Sequence, residues 1–369
     1  MTALHTGTFD DPLKGWPNDD LLITAKSRAD LKAAHPQAFR VLDWPELRAA
    51  FKRHNDAATK AKRKNRVQGV SGLAISGPGL MVLAVAPLAG PNEPRMQFLA
   101  LVLMSLGGLL GLLHWTVMRA QRTWLGHRYC AERLRQFHFQ SLVSNLDLVS
   151  LAMTDDQALA ELRRKRVTWL SDLGLETPDP RYLVRDVIED STDAALWLRP
   201  EFRDAKPPRA DKAQLALLFT ALERLRIGIQ YAYAQRNLGS DIYSAPLRAK
   251  LLRFVADGGF IASLAVMAIA WVTFMSGTLF LHLSPLEWTG IMGLISAGGL
   301  VGKSLLEGMQ AEADVDRYVT YAESLSEVKR QYEQPAISAK VEALRRLELL
   351  AYREMRHFLR THQMARFLG

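Results

Sequence analysis

Apolar residues along this chain gather into two blocks, and charged residues fill the remainder. From Val67 to Ala89 there is no charge. That is about 35 Å of helix at ~1.5 Å per residue, enough to cross a hydrocarbon core of about 30 Å. The turn GPNEPR follows, and then a second uncharged run from Met96 to Met118. The later block is uncharged from Gly258 to Leu286, turns at HLSPLE, and resumes from Trp288 to Gly302 between Glu287 and Lys303. This fourth run is short for a full crossing. The pattern predicts an all-α polytopic membrane protein: two helical transmembrane hairpins, 67–89 with 96–118 and 258–281 with 288–302, on long cytoplasmic helical arms.

Outside the blocks the periodicity is helical. Residues 1–42 read as a loosely ordered polar arm with one short helical stretch, Ser27 to Ala34. Asp43 and Pro45 suit a helix start, so 43–146 forms a first unit of helix, hairpin and helix. Residues 147–210 read as a connector of short helices, broken by TPDPR and by RPEFRDAKPPRAD. Residues 211–369 repeat the first plan. Cys130, Leu134 and Phe137 recur at helical spacing on the arm after the second run. A solvated helix has no need of such a stripe, which makes Leu134 and Phe137 candidates for contacts in a homo-oligomer.

Charge fixes the expected orientation. The chain has 47 Lys+Arg against 38 Asp+Glu, and the two short turns hold only Arg95 between them. By the positive-inside rule both turns face outward and both termini lie in the cytoplasm, at a bacterial inner membrane. Lys60, Lys62, Arg63, Lys64 and Arg66 form a basic run just before the first apolar segment. Its position against the lipid bilayer favours phospholipid headgroups over nucleic acid.

Catalytic patterns are missing: there is no P-loop, no G-x-G-x-x-G after a strand, no H-E-x-x-H and no G-x-S-x-G. No cofactor and no metal site is expected. His127 and His138 are about three helical turns apart, too far to share an ion. Cys130 is the one cysteine, which excludes an internal disulfide and fits a buried apolar position. Gly107 and Gly111 sit one turn apart and suit close helix packing. Gly298, Gly299 and Gly302, with Lys303 behind them, suit either tight packing or the lining of a pore. An oligomeric pore or channel is the leading expectation, and a non-conducting membrane scaffold that docks a soluble partner is the alternative.

Trp124, His127-Arg128-Tyr129, Ala131-Glu132 and Leu134-Arg135 form a W-x-x-HRY-x-AE-x-LR pattern. Arg224, Tyr231, Gln235-Arg236-Asn237, Leu251 and the closing LELLAYREMRHFLRTHQMARF add to it. Together these resemble bacterial SLATT-type membrane proteins, especially the membrane portion of those carrying a SLOG-type sensor similar to that of TRPM channels. The resemblance spans roughly residues 45–369. It implies a pore-forming effector in a prokaryotic defence system, triggered by a cytosolic sensor protein or a nucleotide signal. The first 44 residues are too few for a SLOG domain, so the resemblance does not extend to a sensor in this chain.

Overall fold

The computed structural model describes residues 19–85, 114–175, 183–189, 192–204, 208–239, 244–276 and 285–365, with a few positions between 98 and 106. Among these every regular element is helical. The elements are α1 (Ala25–Ala34), α2 (Pro36–Leu42), α3 (Pro45–Val85), α4 (His114–Ser144), α5 (Leu146–Ala152), α6 (Asp156–Asp172) and α7 (Leu183–Glu189). A single 3-10 turn, Pro200–Phe202, precedes α8 (Lys212–Leu222), a π-helical turn Glu223–Gly228, and α9 (Ile229–Leu238). The chain closes with α10 (Ala245–Ser276), α11 (Pro285–Met309), α12 (Ala311–Tyr332) and α13 (Ile337–Met364).

Proline opens α2, α3 and α11, where a missing N–H costs nothing. Asp155 caps α6 by accepting from the Gln157 N–H at 2.7 Å. Pro45 opens α3 as expected, but Asp43 lies one residue before the cap position and instead pairs with Arg48 of the first turn. The basic run and the first apolar segment belong to one helix, α3, which continues through Pro78. The fourth run likewise sits inside a longer helix, α11, of 25 residues. One left-handed residue, Gln310 (φ 51°), separates it from α12. A non-glycine there costs about 1 kcal/mol, which marks a deliberate change of direction.

The hydrophobic core lies in the helices outside the apolar runs. On α13 the buried positions Leu344, Leu347, Tyr352, Met355 and Leu359 make one stripe. It packs on α12 and α4. Leu134 and Phe137 are buried in this same core. The apolar stripe on α4 is therefore covered by the chain's own helices, which removes the reason for assigning it to subunit contacts. Residues 19–42 are not a loose arm either: Leu21, Leu22, Leu31, Val41 and Leu42 all belong to the core. Their apolar positions are few and closely spaced, so a mainly polar composition concealed them.

The apolar helices behave differently. Ala245–Thr273 is long and apolar enough to cross a membrane, and only 6% of its apolar window is buried. Phe254, Phe260, Ile261 and Trp271 on it are all exposed. A core helix of a water-soluble protein would cover them. Helix α10 packs along α11, α11 against α3, and α3 against α4. Most of the 96–118 run, with Gly107 and Gly111, lies outside the described residues.

A cavity where four long helices leave the core

A cavity of about 440 Å³ opens where α3, α4, α10 and α11 join the helical body that holds this core. From α4 it takes Trp124, Arg128, Glu132 and Arg135, spaced four, four and three residues apart on one helical face. From the π turn and α9 it takes Arg226, Gln230 and Tyr233. The π turn adds a residue to the helical repeat and so rotates the side chains of α9 relative to those of α8. From α12 come Asp314, Arg317 and Tyr321, and from α13 Glu354, Phe358 and His362. Lys62 and Arg66 of α3 and Arg248 of α10 close the side nearest the apolar segments.

Beneath the cavity runs a buried ion-pair chain. Asp20, fully buried, lies 2.6 Å from Arg226 and 2.9 Å from Arg135. Gln230 donates to Asp20 at 2.9 Å, and the Tyr321 hydroxyl donates to Gln230 at 3.0 Å. Arg226 reaches Glu348 at 2.8 Å and lies over the Phe139 ring at 4.3 Å. Arg135 donates to both carboxylate oxygens of Glu132, which Arg128 also grips at 2.6 Å. Buried charges persist only when paired in this way.

Environment sorts the protonation states. Burial pushes the Glu348 carboxyl up to about 7, with Arg226 only partly opposing it. Asp20 already engages two arginines, which leaves Glu348 the less well compensated of the two. Burial would also raise Asp314, but the hydrogen bond from His362 and the charge of Arg317 hold it down to about 2. Loss of bulk water around Lys62, then the nearby charges of Arg66 and Arg128, bring its ammonium down to about 8, although the side chain itself faces water inside the cavity. Cys130 is inert: burial pushes its thiol up to about 12.

The residues singled out in the sequence separate into groups. Lys62 and Arg66 enter the cavity, whereas Lys60, Arg63 and Lys64 stay on the exposed outer side of α3. Gly299 and Gly302 pack against α10: a Cβ on Gly302 would meet Val255 at 2.8 Å, and one on Gly299 would meet the backbone of Gly259 at 3.4 Å. Gly298 has nothing within 4 Å of such a Cβ, and Lys303 is exposed. His127 pairs with His54 of α3 at 3.1 Å, not with His138. His138 is buried against Trp44 and Phe139. Among the described residues no three His, Cys, Asp or Glu groups could hold a metal ion. Sequence reasoning missed Asp20, Arg226, Glu348 and Glu354. For the three helical ones the signal available was a charged residue at a position where the helical period demands an apolar one; Asp20 lies in a turn and gave none. No known protein family, no curated protein and no solved structure matches the chain.

Proposed function

We propose that the chain is an oligomeric, pore-forming or channel-like protein of a bacterial inner membrane, gated through its cytoplasmic helices. Both hairpins cross the bilayer and both termini are cytoplasmic. A role as an effector in a nucleotide-signalled defence system, as in SLATT-type proteins, fits this reading. One observation carries it: α3, α10 and α11 each form cavity wall and continue as the same helix into an apolar segment, and α4 lines the cavity just after the second apolar run. A change in what fills the cavity then tilts or turns the segments at their far ends, since a helix transmits motion along its length as a stiff rod. Four segments are too few to enclose a wide pore, so several copies assemble.

Purified protein reconstituted in liposomes tests this directly. Flux of a small ion that depends on the protein supports it, and liposomes that stay sealed at all protein densities exclude it. A second reading, a non-conducting scaffold that docks a soluble partner, is favoured by a specific observation. Gly299 and Gly302, the small residues best suited to line a pore, lie against α10 instead. Sealed liposomes together with stable membrane insertion support the scaffold.

A further inference from the structure

Cations dominate the membrane-facing side of the cavity. Lys62, Arg66 and Arg248 converge there from α3 and α10. The ion-pair chain beneath is self-contained: Glu132, Asp20 and Glu348 are each engaged by Arg128, Arg135 or Arg226. Asp314 and Glu354 are held by Arg317. No carboxylate among the described residues lies within ion-pair distance of Lys62, Arg66 or Arg248. Lys62 rests instead over the Trp124 ring at 5.3 Å, and Arg248 donates to the Ser244 carbonyl at 3.3 Å. Three cations of one sign in one hollow repel each other, and an anion placed among them removes that repulsion.

We propose that this end of the cavity binds a phosphate group, free or lipid-borne, between Lys62, Arg66 and Arg248. Guanidinium forks match the tetrahedral oxygens of phosphate, and an ammonium adds a point charge. The site lies where cytoplasm meets the apolar segments, so a soluble phosphate ester and a phospholipid headgroup both reach it. This assigns the ligand of the cavity invoked above and so rests on that reading. Heat reads binding and conductance reads flux, so the two fail separately.

Binding is measured on the full chain, by calorimetry in detergent with inorganic pyrophosphate, and by thermal stability in nanodiscs of phosphatidylglycerol against phosphatidylcholine. Pyrophosphate binding assigns a soluble ligand. A Tm higher in phosphatidylglycerol by about 2 °C or more, without pyrophosphate binding, assigns a lipid. Arg66→Gln combined with Arg248→Gln should weaken the effective ligand at least tenfold. Lys60→Gln combined with Lys64→Gln, on the outer side of α3, should leave it unchanged. Bound phosphate also restores the Lys62 proton. Binding at pH 8.5 should therefore take up a proton, seen as a dependence of the heat on buffer ionisation, and Lys62→Met should abolish that uptake. The groups facing Lys62 are Arg66, Arg128, Arg248, Asp314 and His362, and Asp314 is already ionised at this pH. Response to neither probe overturns the proposal, as does an equal response from the cavity variant and the outer-side control.

Discussion

Asp20 holds two arginines that come from distant parts of the chain, Arg135 of α4 and Arg226 of the π turn. Removing its charge leaves both guanidinium groups under-compensated in a dry core. Asp20→Asn should therefore lower unfolding stability by about 3 kcal/mol or more, followed by denaturant or heat in detergent. Glu348→Gln should cost far less. The Glu348 carboxyl titrates near 7 in the fold and near 4.5 when unfolded, so the folded state holds the proton more tightly between those values. Stability then falls as pH rises from about 4.5 to 7, because ionisation disfavours the fold. The glutamine variant should lack this decline, and a parallel pH profile for the two proteins would refute it. These residues show where the sequence was opaque. Asp20 sits in a stretch whose composition reads as a solvated arm, and its partners lie more than a hundred positions away. By contrast, Trp124, Arg128, Glu132 and Arg135 were all legible as members of the W-x-x-HRY-x-AE-x-LR pattern. What that pattern could not tell was that these four share one helical face, which looks into a cavity.

At the level of whole elements, the crossing of α10 and α11 has its own logic. Glycine lets two helix axes come close enough for backbone to meet backbone. A Cβ on Gly259 would stand 2.6 Å from the Gly299 Cα, which is backbone and cannot rotate away. Gly259→Ala should separate the helices and cost about 1–3 kcal/mol. Gly298→Ala, with open space around it, should be neutral or slightly stabilising through better helix propensity, by up to ~1 kcal/mol. Thermal unfolding of the two variants side by side checks the contrast, and equal losses would place the crossing elsewhere. The glycine-rich character of α11 was plain in the sequence. Which glycines pack was not, since that depends on the rotation of α11 about its axis and on a partner, Gly259, from another helix. The apolar stripe on α4 illustrates the same limit. Period alone marks a face as covered without saying whether another helix of the chain or another subunit covers it.

For the molecule as a whole, the proposed membrane topology is the central question, and one residue makes it easy to measure. Cys130 is the only cysteine, and it is fully buried with its thiol pushed up to about 12. It supplies almost no thiolate near neutral pH and should not react with a maleimide in the folded protein. Single cysteines can therefore be introduced into the natural chain without removing it. The lysine and arginine asymmetry predicts that the segment containing Asn92 lies outside. The core formed by α12 and α13, with its buried ion pairs, suits the cytoplasm, and Lys340 near the start of α13 is half-exposed beside it. Asn92→Cys should label in intact cells with a membrane-impermeant maleimide. Lys340→Cys should label only once the membrane is opened. The apolar face of α10, with Phe260, Ile261 and Trp271 exposed, requires a non-aqueous surrounding whichever way the hairpins point. The labelling thus decides orientation separately from membrane residence. Labelling of Lys340→Cys in intact cells would reverse the topology, put the cavity on the outer side, and remove any cytosolic signal from its control.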